Sequence, residues 1–105
     1  MLIIETPVFT ERVLDILTGE EYRKLQLYLT KSPGAGDVIP GSHGLRKLRW
    51  KGSRRGKRGG TRVIYYWLHS KDAIEMLFIF KKNEMHDLTR DQLKVLQSIA
   101  GRELR

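Results

Sequence analysis

The chain has 105 residues, of which 40% are apolar and none is cysteine, and a formal net charge of +8. That length fits a single domain over residues 1–105, the missing thiols exclude disulfides and thiolate metal sites, and no run approaches the roughly 18 apolar residues of a membrane span. Met1-Leu2-Ile3-Ile4-Glu5-Thr6-Pro7 has no basic n-region and no long apolar stretch, so a cytoplasmic chain without a secretory signal is expected.

Leu2, Ile3 and Ile4 read as a short strand. Thr6 as N-cap and Pro7 at the first helical position open a helix over residues 7–16, with Phe9, Val13, Ile16 and Leu17 at helical spacing. Thr18-Gly19-Glu20-Glu21 has the form of a capping box. It starts a second helix over about 19–31, striped by Tyr22, Leu25 and Leu29. Ser32-Pro33-Gly34-Ala35-Gly36 ends that helix, and residues 37–44, with Pro40, Gly41 and Gly44, are expected to form an irregular connection.

Three strands are predicted next. Leu45–Trp50 is short and basic, and residues 62–69 are rich in β-branched and aromatic types. Residues 74–81 are apolar on both faces, as a strand covered on both sides would be. Ser70-Lys71-Asp72 is a short turn that makes the last two an antiparallel hairpin. Residues 51–60 hold four glycines and no apolar residue, so they read as a loop joining two strands. Thr89 and Gln92 open a final helix striped by Leu93, Leu96, Ile99 and Ala100, with Gly101 as its stop. The predicted fold class is α+β, in the order β-α-α-β-β-β-α. Its mostly antiparallel sheet of about four strands packs two N-terminal helices and a C-terminal one.

The charge is concentrated. From Arg46 to Arg62 there are nine bases (Arg46, Lys47, Arg49, Lys51, Arg54, Arg55, Lys57, Arg58 and Arg62) and no acid, while the other 88 residues are nearly neutral. Such a segment points to a polyanionic partner. On a strand, residues two apart share a face. Lys47 and Arg49 therefore project together, and Arg46, Leu48 and Trp50 point the other way. If the next strand pairs alongside, Arg62 joins Lys47 and Arg49 in a phosphate-tracking groove bordered by the basic loop.

The other chemistry-bearing residues carry weaker signals. His86 lies in a polar turn between strand and helix, where it is either a proton-transfer group or a solvated turn residue. His43 and His69 read as structural or surface residues, and three scattered histidines without cysteine form no metal motif. Glu84 and Asp87 are best read as ion-pair or capping groups beside so many cations. Tyr65, Tyr66 and Trp67 have the shape to stack on bases, but strands favour these types for packing, and the core reading is preferred for them and for Trp50.

Three segments carry a family resemblance. They are Gly44-Leu45-Arg46-Lys47-Leu48-Arg49, then Gly56-Lys57-Arg58-Gly59-Gly60-Thr61-Arg62-Val63-Ile64-Tyr65-Tyr66, then Lys82-Asn83-Glu84-Met85-His86-Asp87-Leu88. In order and spacing they resemble the RelE/HigB-type toxins of bacterial type II toxin–antitoxin pairs, the HigB branch most closely, over nearly the whole chain. The resemblance implies a toxin that enters the ribosomal A site and cuts messenger RNA by attack of the ribose 2′-OH on the adjacent phosphate, with no metal or other cofactor. It implies Arg62 as the chief transition-state cation, with Lys47, Arg49 and Lys82 as further catalytic candidates. His86, close to Lys82 in the sequence, is a candidate acid or base on the chemistry of histidine. Arg46, Lys51, Arg54, Arg55, Lys57, Arg58 and Asn83 would then contact RNA. Asn83 and Thr89 stand where RelE has an arginine and a tyrosine. Implied partners are a cognate antitoxin, the ribosome with its messenger RNA, and operator DNA reached through the antitoxin complex. The alternatives are a non-catalytic basic RNA- or DNA-binding module, or a degenerate toxin that only binds its antitoxin.

Overall fold

The computed structural model describes residues 1–51 and 60–102. Its elements are β1 (Leu2–Glu5), α1 (Pro7–Ile16), α2 (Gly19–Lys31), β2 (Asp37–Val38), β3 (Leu45–Trp50), β4 (Thr61–Leu68), β5 (Ala73–Lys81) and α3 (Arg90–Ile99). The helix starts follow local chemistry. Thr6, Thr18 and Thr89 each accept an N–H of the first turn, and the last two complete capping boxes with Glu21 and Gln92.

The strands form one sheet in the order β1-β5-β4-β3-β2. β1 runs parallel to β5, and every other pairing is antiparallel. The expected α+β fold is therefore present, with one more strand than the sequence suggested. Asp37 and Val38, read as irregular connection, pair with Lys47 and Arg46 as the two-residue β2. No strand pattern announces so short an element; it exists because β3 offers it an open edge. The expected short turn between β4 and β5 is a single 3₁₀ turn over His69–Lys71, followed by Asp72 at φ 47°.

The helices divide between the two sides of the sheet. Phe9, Val13, Leu17, Tyr22, Leu25 and Leu29 from α1 and α2 and the segment between them pack on Leu48, Val63, Tyr65, Ile74, Met76 and Ile79. On the other side, Leu96 of α3 packs with Leu45, Ile64, Leu77 and Phe80. The expectation that residues 74–81 are covered on both faces thus holds, and the strand carries a bulge. Ile64 pairs with Phe78 but Tyr65 with Met76, leaving Leu77 as an extra residue in β5. That residue resets the alternation, so Met76 and Ile79 share one side while Leu77 and Phe80 share the other. Thr6 anchors the bulge: its hydroxyl donates to the Leu77 carbonyl at 2.8 Å and its N–H to the Met76 carbonyl at 3.0 Å.

Gly36 marks a close approach. Its N–H donates to the Tyr65 hydroxyl at 2.9 Å, and that hydroxyl donates to the Pro33 carbonyl at 2.7 Å. A Cβ at Gly36 would sit 2.9 Å from the Tyr65 ring and 3.1 Å from the Lys47 carbonyl. Gly36→Ala is therefore expected to destabilise the protein by about 1–3 kcal/mol, the usual cost of overpacking. An unchanged urea midpoint would contradict this contact.

Candidate nucleic-acid interface

The cationic face is built by pairing. In the β3–β4 ladder Arg49 lies directly opposite Arg62, and Lys47 opposite Ile64. Leu45 packs on the α3 side and Leu48 on the α1/α2 side, so alternation sends Lys47 and Arg49 to the α3 side. Arg62 shares that side with Ile64, two residues on. The sequence-based expectation that these three cations converge is met.

Directly opposed like charges destabilise a sheet, and burial raises the cost of a charge. Arg62 is only 6% exposed. Burial, and then the Arg49 charge, lower its pKa from the ordinary guanidinium value, while Asp87 pulls in the opposite direction. Arg49→Gln, which removes the repulsion, is expected to raise stability by roughly 0.2–1 kcal/mol while weakening RNA binding. Denaturant midpoints and RNA titrations test the two halves of this prediction together.

The turn after β5 supplies the remaining groups. Lys81 pairs with Thr61, and the Lys82 N–H donates to the Gly60 carbonyl at 3.2 Å, extending the contact with β4 by one residue. Gly60 takes φ +64°, and a Cβ there would meet the Trp50 carbonyl at 2.9 Å, so glycine is required where the chain re-enters the sheet. Lys82 is half-buried, and Asn83 and His86 are exposed beside it.

Asp87 donates no catalytic signal in the sequence, yet it enters this site. Lys47 Nζ lies 3.2 Å from its Oδ2 and 3.3 Å from its Oδ1, and Asp87 Oδ1 accepts the Leu88 N–H at 2.8 Å. Burial alone would raise its pKa. The Leu88 N–H, the Lys47 ammonium and the neighbouring His86 outweigh that and hold it below the usual carboxylate value. Glu84 is also paired, with Arg12 at 2.7 Å, and accepts the Lys81 N–H at 3.0 Å. Both acids are thus the ion-pair and capping groups expected from the sequence.

Arg12 is the residue that the sequence did not single out. From α1 its Nε donates to the Ile79 carbonyl at 2.8 Å, and its guanidinium lies 4.9 Å from the Phe78 ring centre. Together with the Glu84 pair this ties the 82–87 turn to the body of the protein. An exposed-looking arginine whose partners lie 67 and 72 residues away leaves no local signature.

Other predicted contacts are not gathered here. Arg46 is on the α1/α2 side, where it donates to the Gly34 and Gly36 carbonyls at 3.2 and 2.7 Å and lies over the Trp67 ring. Lys51 is exposed at the end of β3. Arg54, Arg55, Lys57 and Arg58, with the loop assigned to them, lie outside the described residues. Tyr65 is wholly buried, Tyr66 and Trp67 pack against the two core clusters, and Trp50 lies 5.5 Å from the Tyr28 ring. The core reading of all four holds. His69 is exposed and stacks on Trp67 at 3.7 Å, and His43 is an exposed loop residue at φ 59°.

Among the described residues, no group of three or more His, Asp or Glu side chains is placed to hold a metal ion, and no helix is long and apolar enough to cross a membrane. A groove of about 320 Å³ runs between Val8, Phe78, Leu88, Gln92, Val95 and Leu96. Its lining carries no charged side chain.

No known family profile matches the chain. A search of solved structures does find a neighbour, the E. coli toxin RelE, as a double arginine-to-alanine mutant in the free state. It is 14% identical, covers 99% of this chain and 97% of its own, and superposes with a TM-score of 0.61. At that identity the shared property is the architecture: the chain has a RelE-like fold.

Proposed function

We propose that the chain is a ribosome-dependent messenger RNA endonuclease of the HigB branch of RelE-like toxins, acting in the cytoplasm and neutralised by a cognate antitoxin. The observation that carries this reading is the Arg49–Arg62 pair, two cations held opposite each other with Lys47 on one face of a rigid sheet. Such a face suits a phosphate at which negative charge grows. The RelE-like fold supports the same reading.

In this mechanism the 2′-oxygen of one ribose attacks the adjacent phosphorus, forming the O2′–P bond. The P–O5′ bond then breaks, leaving a 2′,3′-cyclic phosphate and a free 5′-hydroxyl. A base takes the 2′-hydroxyl proton and an acid supplies one to O5′. Arg62 and Arg49 stabilise the phosphorane oxygens, as fixed charges aimed at developing charge do. Lys47 and Lys82 add positive charge around the phosphate. His86, at the turn beside them, is the candidate for proton transfer. The chain's own residues supply this chemistry without a metal, and the ribosome supplies the substrate geometry. Charge complementarity favours an acidic antitoxin segment, and operator DNA would be reached through the antitoxin complex.

The test is purified protein added to ribosomes programmed with a defined message, followed by mapping of the new ends. Cuts within the A-site codon carrying cyclic-phosphate ends are expected. Intact messages at saturating protein would leave a binding module or a degenerate toxin instead.

A further inference from the structure

We propose that Asp87 is an internal counter-ion that competes with RNA phosphate for Lys47, raising the threshold at which the cationic face engages RNA. The inference rests on the reading of that face as a phosphate-binding surface.

The geometry is that of a phosphate stand-in. A carboxylate and a phosphodiester each present a single negative charge shared between two oxygens. Both oxygens of Asp87 lie within 3.3 Å of Lys47 Nζ, where a phosphate would place its own. The Leu88 N–H holds the carboxylate in place from behind. The pair is accessible, with the Lys47 side chain 34% and the Asp87 side chain 56% exposed. Exposed lysine–carboxylate pairs are among the weakest interactions in proteins, so an arriving polyanion can displace this one. Displacement has two consequences. Lys47 exchanges one negative partner for another rather than gaining one. The released carboxylate is left near the phosphate and near Arg62, whose charge it offsets when nothing is bound.

Asp87 thus acts through Lys47, as a positioning and threshold residue. Free RNA meets a face that is partly neutralised in advance. A message presented in a fixed geometry brings several phosphates together and overcomes the same opposition.

The salt dependence separates this role from a merely structural one. RNA binding releases counter-ions in proportion to the phosphates neutralised, with a slope near −0.7 for each on single strands. Freeing Asp87 takes a cation back up and cancels part of that release. The experiment is fluorescence anisotropy of a short single-stranded RNA oligonucleotide with the full chain over a series of salt concentrations. It compares wild type, Asp87→Asn, Lys47→Ala and the double variant. Asp87→Asn keeps an oxygen for the Leu88 N–H. It is expected to bind about two- to fivefold tighter at low salt, the range set by a weak exposed pair, with a slope steeper by up to about 0.7. Most of that gain should vanish in the Lys47→Ala background. Asp87→Ser replaces it if the asparagine variant melts early. The inference is overturned if wild type binds while neither Asp87 variant binds more tightly, or if the full gain survives without Lys47. Absence of wild-type binding at low salt would instead remove the phosphate-binding reading itself.

Discussion

Arg62→Ala is expected to reduce message cleavage on programmed ribosomes by at least about 100-fold, the usual loss when one preorganised charge-stabilising donor is removed. Among the described cations Arg62 stands out by its burial and by its placement opposite Arg49. A charge held where water is scarce acts on a developing phosphorane more strongly than one in solution. Arg62→Lys restores the charge but not the planar fork, so it should recover only part of the rate. Ribosome binding should change far less than cleavage in both variants if, as proposed, other bases of the segment also contact phosphate. Cleavage within a few-fold of wild type by a folded Arg62→Ala protein would remove Arg62 from the chemistry.

The largest expected stability effect is at Phe80. Its side chain is wholly buried on the α3 side with Leu45, Ile64 and Leu77, it pairs across the ladder with Arg62, and its ring lies 5.9 Å from that of Phe78. Phe80→Ala is expected to cost about 3–5 kcal/mol. Domains of this size are stable by only about 5–15 kcal/mol, so much of the margin would be lost. The α3 side is the smaller of the two clusters, with five buried residues among those described. Equilibrium urea unfolding measures the loss, and a change under 1 kcal/mol would show that α3 closes over the cavity.

Much of the local architecture was legible residue by residue. Thr6 before Pro7, the Thr18–Glu21 box and the Thr89–Gln92 box each placed a helix start, because capping is chemistry between residues three apart. The alternation of Leu45–Trp50 likewise predicted which side Lys47 and Arg49 share. The site was legible as far as its cations reach along strands. Arg46 is the counter-example: its charge joined it to the basic run, but strand parity put it on the other side, bound to the Gly34 and Gly36 carbonyls.

The order of helices and strands, their caps and the face each strand presents to one side follow from interactions spanning a few residues, and these the amino-acid sequence determined alone. Tertiary structure decided what depends on distant partners. It added β2 through an edge that β3 leaves open, set the bulge at Leu77 under the Thr6 hydroxyl, and split the helices across the sheet. It also brought Asp87 to Lys47, 40 residues away, and Arg12 to Glu84, 72 residues away. Contacts of that range leave no periodicity in a single chain, because their spacing is fixed by the folded backbone and not by any repeat of helix or strand.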